Sequence, residues 1–287
     1  MSPHRTTVDI QAGQLDVLVW QSDDAADAAA PRDIRRPTVL ALHGFPESAW
    51  EWQRVAELLV SEGVRVVAPT QRGYSPEARP TGIEDYAIEH LAQDVVAVAD
   101  HFELGPIHLL GHDWGAAVAW WLAGHQPDRL ASLTAVSVPH LGAFADALAT
   151  DPDQQERSAY FRLLRQPDKA EDVLLEDGAR RLRAVFGGDV PPSLVAVHLE
   201  VVGDRAGLTG ALNWYRAMRH YEVPDVTVPT TFVWGEEDIA ISRSGAEATR
   251  ARVIADYRFL PVPGGGHWLP EQHPELLARE VLARIRL

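Results

Sequence analysis

No cysteine occurs anywhere in the 287 residues, which removes disulfides, thiolate metal sites and cysteine nucleophiles from consideration. Positive charge is also scarce: 26 lysines and arginines stand against 41 aspartates and glutamates, a formal charge of −15. A nucleic acid or an anionic membrane surface needs clustered lysine and arginine, so neither is an expected partner. No stretch approaches the roughly 18 uninterrupted apolar residues of a membrane span. The opening "MSPHRTTVDIQAG" has no apolar centre of signal-peptide length. A cytoplasmic protein, monomer or homodimer, is therefore expected. Internal repeats and low-complexity domains are missing as well.

What is present suits one large α/β domain with a substantial core, 46% of the residues being hydrophobic. The nine tryptophans are many, and indoles are often used where a cavity is apolar but needs one donor. "TVDI" and "LDVLVW" predict an opening hairpin, and the polar stretch from Gln21 to Pro37 a variable surface loop. "TVLALHG", "VRVVAPT", "PIHLLGH", "LTAVSV" and "TTFVWGEED" are compact apolar runs, as expected of strands buried on both faces of a parallel sheet. Between them lie helical stripes such as Ile88, Leu91, Val95, Val98 and Phe102, and, at the end of the chain, Leu277, Val281, Leu282 and Ile285. From about Pro139 to Pro224 the strand runs stop and charged helical patterns replace them. We read residues 1–138 and 225–287 as one α/β core, and 139–224 as a helical cap inserted into it.

The informative stretch is "GHDWG", residues 111–115. It follows an apolar strand and precedes "GAAVAWWLAGH", the strand–turn–helix context of a nucleophile elbow, with Asp113 where a serine is usual. Flanking glycines relieve crowding at such a turn. Asp113 could equally cap the helix, and five residues alone leave the two readings near parity. Three neighbours decide. "HGFPES" (residues 43–48) ends a strand and can aim the Phe45 N–H at the elbow, where the Trp114 N–H would complete an oxyanion hole. His43 itself reads as a satisfied core histidine. Asp238 in "VWGEED" and His267 in "PGGGHWLPEQHP" complete the order nucleophile–acid–histidine of the α/β-hydrolase fold.

In "HGFPES", "QRGYSP", "GHDWG", "LNWYR", "GEED" and "GGGHW" the chain resembles the epoxide hydrolases of the α/β-hydrolase superfamily, from about Thr38 to the carboxyl terminus. The resemblance implies an α/β-hydrolase fold, a mostly parallel sheet flanked by helices, and a small apolar epoxide as substrate. It implies a covalent ester on Asp113, hydrolysed by water that His267 and Asp238 activate. A carboxylate is ionised near neutral pH and needs no base to attack an sp³ carbon. The family also uses two cap tyrosines to protonate the leaving oxygen. Tyr215 in "ALNWYRAM" matches one; Tyr160 in "SAYFRLLRQP" is our choice for the other, with Tyr221 and Tyr86 as alternatives and helix packing as the plain reading of each. Phe45, Trp114, Trp214 and Trp268 are the expected substrate-binding side chains, although indoles also pack cores. One departure is Thr70, where the family often has aspartate before "QRGYS"; an effect on loop geometry is expected.

Two other functions compete. Haloalkane dehalogenases share "DWG" and the aspartate ester but expel halide, which tryptophan N–H groups hold. Fluoroacetate dehalogenases tend to carry arginine after the nucleophile, where this chain has Trp114. A catalytically silent hydrolase fold acting as a ligand receptor would have no use for the full Asp113–Asp238–His267 set. "GGGH" is no phosphate loop, since no Gly-Lys-Ser/Thr follows. "HLE" at 198–200 lacks the cysteines of a zinc deaminase site. Neither a metal nor an organic cofactor is expected.

Overall fold

The structure, a computed structural model, describes residues 1–22 and 37–286. The surface loop expected between Gln21 and Pro37 falls almost wholly outside that range. Among the described residues, β1 (His4–Ile10) and β2 (Gly13–Trp20) form the expected hairpin. They continue into β3 (Thr38–Leu42), β4 (Arg65–Pro69), β5 (Ile107–His112), β6 (Leu130–Val136), β7 (Thr230–Gly235) and β8 (Tyr257–Val262). One eight-stranded sheet results, in the order β1-β2-β4-β3-β5-β6-β7-β8. β2 runs antiparallel to β4, and every pairing from β4 to β8 is parallel. The helices are α1 (Gln53–Ser61), α2 (Ile88–His101), α3 (Trp114–His125), α4 (Leu141–Thr150), α5 (Pro152–Arg157), α6 (Phe161–Leu164), α7 (Lys169–Ala184), α8 (Pro192–Val202), α9 (Arg205–Ala217), α10 (Arg243–Ala248), α11 (Leu269–Gln272) and α12 (Pro274–Ile285).

The strand runs are continuously apolar because helices cover both faces. Along β3, Leu40 and Leu42 face a core shared with α2 and α3, whereas Val39 and Ala41 face one shared with α1 and α12. Successive side chains of a strand point to opposite faces, so every residue of such a strand must be apolar. β8 was not among the predicted strands. Its "YRFLPV" carries Arg258 and Pro261, and at the sheet edge, paired only with β7, these are tolerated.

Two features place the site. The chain runs from β3 outward to β4, then returns to β5 on the other side of β3, so the loops after β3 and β5 diverge. Ligand crevices in open α/β sheets form at such a switch point, beyond the carboxyl ends of the strands. Second, the six helices α4–α9 are inserted between β6 and β7. They are tied to the core through Trp214, whose indole N–H donates to the Arg72 carbonyl at 2.9 Å. Arg72 in turn forms a buried two-pronged pair with Asp94, both bonds 2.8 Å. Within the insertion, Arg216 and Glu171 form a buried ion pair joining α9 to α7.

Candidate active site

Asp113 stands between β5 and α3 with φ +49° and ψ −118°, a backbone region L-residues avoid at a cost of about 1–3 kcal/mol. The turn closes because Gly111 and Gly115 have no side chains. A Cβ on Gly115 would lie 2.1 Å from the Leu42 carbonyl oxygen, and one on Gly111 2.5 Å from the Gly115 oxygen. The Asp113 carboxylate makes no capping bond to α3. Instead Oδ1 accepts the Phe45 N–H at 2.9 Å, and Oδ2 lies 3.5 Å from His267 Nε2. Trp114 opens α3, so the helix amino terminus begins directly behind the carboxylate.

His267 Nδ1 sits 3.0 and 2.9 Å from the two oxygens of Asp238. Asp238, fully buried past the end of β7, also accepts the N–H groups of Ala240 at 2.7 Å and Ile241 at 3.0 Å. These bonds orient the acid, which then fixes the ring tautomer with Nδ1–H toward Asp238. The His267 carbonyl is held by Ser137 Oγ at 2.8 Å and His112 Nε2 at 2.9 Å. Burial works against charging His267, but the Asp238 charge and hydrogen bonds to Asp113 and Asp238 carry its pKa well above the ordinary value. Burial likewise works to raise Asp113, yet the hydrogen bond and charge of His267 bring it below the usual carboxylate value.

Asp113 opens into a cavity of about 430 Å³ between core and insertion, walled mostly by apolar side chains such as Val138, Leu141, Phe144 and Ile241. That volume suits a small organic molecule. Tyr160 and Tyr215 line the same cavity, their ring centroids 6.2 Å apart. Burial, then Tyr160 and Asp113, push the Tyr215 hydroxyl well above the ordinary phenol pKa, against a lowering hydrogen bond with the Trp114 indole. Tyr160 is 40% exposed, and the charges of Asp113 and Asp238 raise its hydroxyl above the ordinary phenol value. Both phenols are therefore harder to ionise than a free phenol. Tyr86 is spent elsewhere, donating to the Pro80 carbonyl at 2.9 Å. Tyr221 lines the cavity beside Arg219 and His220.

A family model for the alpha/beta hydrolase fold matches residues 37–274. The chain belongs to the α/β-hydrolase fold family. This hydrolase is 33% identical to the AB hydrolase superfamily protein YfhM of Bacillus subtilis, over 90% of this chain and 93% of that one. It is 30% identical to epoxide hydrolase A of Mycobacterium tuberculosis, over 83% and 87% of the two chains. Its fold superposes on the crystal structure of epoxide hydrolase A from Mycobacterium thermoresistibile with a TM-score of 0.82, at 25% identity over 99% and 98% of the chains. Within the fold family the hydrolase belongs with the epoxide hydrolases.

Two sequence expectations need correction in this hydrolase. Trp214 and Trp268 do not line the cavity. Trp214 faces the core, with its N–H committed to Arg72 and its ring edge-on to Trp114 at 5.6 Å. Trp268 packs behind His267 against His112 and Phe186. Phe45 contributes its backbone N–H, while its ring meets Tyr215 edge-on at 5.2 Å. His43 is a structural histidine, buried, taking the Gln71 N–H on Nε2 at 3.0 Å, and depressed by burial to about 4. Thr70 lies at the end of β4 and bonds to Asp16 at 2.8 Å, away from the carboxylate. Sequence reasoning missed His112 and Ser137, which hold the His267 carbonyl. His112 stood in plain view inside "GHDWG", but nothing in five residues says where its ring points.

Proposed function

We propose that this hydrolase converts epoxides to vicinal diols through an ester on Asp113. The observation that carries the reading is the pair of phenol hydroxyls, Tyr160 and Tyr215, lining the same cavity as the Asp113 carboxylate. An epoxide carbon approached by Asp113 breaks its C–O bond, and the oxygen needs a proton as it leaves; a phenol held neutral supplies it. A halide needs no proton and would be held by free indole N–H groups. Here Trp114 is the one indole among the described residues lining that cavity, and the Trp214 N–H is committed to the Arg72 carbonyl, which weighs against the dehalogenase reading.

The charges organise the second half of the reaction. While Asp113 is a carboxylate, it helps keep a proton on His267. Once Asp113 is esterified its charge is gone, only Asp238 still raises His267, and burial pulls the ring toward neutrality. Alkylation thus makes its own base. Neutral His267 takes a proton from water, the oxygen adds to the ester carbonyl, and the Phe45 and Trp114 N–H groups stabilise the oxyanion. Collapse releases the diol and restores the carboxylate with one oxygen drawn from water. The proton that left His267 on alkylation has gone to the tyrosinate, and the one taken from water restores the resting imidazolium.

The test is intact-mass measurement of a His267→Gln variant incubated with styrene oxide. The expected result is a stable adduct on Asp113 with the mass of the whole epoxide. Turnover by the wild type with no adduct in the variant would overturn the covalent scheme. An adduct from a haloalkane, carrying only the alkyl group, would move the assignment to dehalogenation.

A further inference from the structure

Behind the elbow, on the side away from the substrate cavity, lies a second polar centre the proposed reaction does not use. Glu47 follows β3, Glu271 lies in α11, His198 belongs to the inserted helix α8, and His112 ends β5. Glu47, His112 and His198 are fully buried. Donor atoms of Glu47, His198 and Glu271 lie within 4.8 Å of one another, as do those of Glu47, Glu51 and His112. Glu47 joins the two groups, Oε2 at 3.1 Å from His112 Nδ1 and Oε1 at 3.8 Å from His198 Nε2.

Both histidines place a ring nitrogen toward the carboxylates, His112 Nδ1 and His198 Nε2. His112 Nε2 faces the His267 carbonyl at 2.9 Å and must donate to it, so in the neutral ring Nδ1 is the acceptor. His198 Nδ1 is 3.0 Å from Ser48 Oγ; with Nδ1–H donated there, Nε2 is left as a buried acceptor. Glu47 Oε1, His198 Nε2 and both Glu271 oxygens have no hydrogen-bond partner among the described residues. Unpaired buried acceptors that converge on one another are costly and ask for a proton donor, water or a cation.

We infer that Glu47, Glu271 and His198 bind a divalent zinc-like cation that clamps the inserted helices to the hydrolase core. One divalent ion balances the two carboxylates. Imidazole and carboxylate are fitting zinc donors, and the donors of a tetrahedral zinc stand about 3.3 Å apart, so the group needs only modest closure. A second shell is at hand: a metal-bound histidine commonly gives its other N–H to an acceptor, and Ser48 Oγ stands 3.0 Å from His198 Nδ1 to take it. Glu271, with Glu51, also lines a separate cavity of about 790 Å³, from which an ion would reach the buried carboxylate oxygens by movement of the Glu271 side chain. This departs from the expectation that no metal is needed, and His198 is the histidine of the "HLE" segment set aside for want of cysteines.

The experiment measures zinc in protein purified without chelator, then follows thermal unfolding of the full chain after EDTA and after zinc is restored. Expected are about one equivalent of zinc surviving dialysis, and a midpoint about 5 °C higher with excess zinc than with EDTA. Ser48→Ala should weaken zinc affinity on the order of 10-fold through loss of its hold on His198, and His198→Gln should abolish the zinc-dependent shift. Wild-type protein that retains no zinc, and whose midpoint moves with neither zinc nor EDTA, overturns the assignment. In that case the carboxyls are held by protons, burial and Glu51 having pushed Glu47 up to about 8. A zinc response unchanged in His198→Gln and Glu271→Gln would also overturn it, by placing the ion elsewhere. None of these readouts depends on which substrate the enzyme takes.

Discussion

Gly44→Ala tests whether the elbow works by fixed placement of one carboxylate. Gly44 precedes the Phe45 N–H that holds Asp113, and its own N–H donates to Glu51 at 2.9 Å. A Cβ added here would lie 2.6 Å from Asp113 Cβ and 3.1 Å from Oδ1. Reaching the 3.4 Å of ordinary contact requires about 0.8 Å of movement between the two. Asp113 has little room to give, since its backbone is already strained and Oδ1 is bonded at 2.9 Å. Displacements near 1 Å at a reacting group cost on the order of 10²-fold in rate. Overpacking costs about 1–3 kcal/mol of stability, or several degrees of melting midpoint at this size. We expect single-turnover ester formation, followed by quenching and mass spectrometry, to slow about 100-fold. Binding of a non-reactive diol should change little, because Gly44 is not a cavity wall. Ester formation within about threefold of wild type, with the melting midpoint lowered as expected, would refute the reasoning. It would mean that the loop after β3 yields without disturbing the nucleophile.

The other outcomes follow from the same geometry. Tyr215→Phe should slow ester formation by about 10²-fold or more while leaving product affinity near normal; Tyr86→Phe, whose hydroxyl is spent on the Pro80 carbonyl, should leave the rate unaltered, and the reverse ranking would displace Tyr215 as the acid. The two chemical steps should also differ in pH dependence. Ester formation needs Asp113 ionised and the tyrosines protonated; Asp113 lies below its ordinary 3.8 and both phenols above 10.0, so that step stays flat between these limits. Ester hydrolysis needs neutral His267, so its rate should rise with pH through a midpoint lower than that of His267 in the resting enzyme, where the Asp113 carboxylate still favours the proton. Stopped-flow tryptophan fluorescence separates the phases, and one shared midpoint would contradict the hand-off of charge.

What could be read from the chain, and what could not, divides by the range of the constraint. The elbow was legible because its demands are local: with backbone oxygens within about 2.5 Å of where side chains would begin, positions 111 and 115 admit only glycine, and that restriction is written into the sequence. The buried strands were legible for the same reason, the residues of β3 from Val39 to Leu42 facing the two cores in alternation. β8 was lost because an edge strand with one neighbour relaxes the pattern that identifies it. Trp214 and Trp268 were misplaced because an indole needs one acceptor and apolar company, and a core supplies both as readily as a cavity. The centre formed by Glu47, His112, His198 and Glu271 had no pattern to betray it. Its members come from a loop, a strand end and two helices, up to 224 residues apart, and of the four only His198 is brought in by the inserted helices. Sequence motifs report groups that one short segment must place by itself. A cluster assembled by four segments leaves in each of them a single polar residue with no visible reason to be buried, and that mismatch, seen once the fold is known, is what makes the centre behind the elbow worth testing for metal.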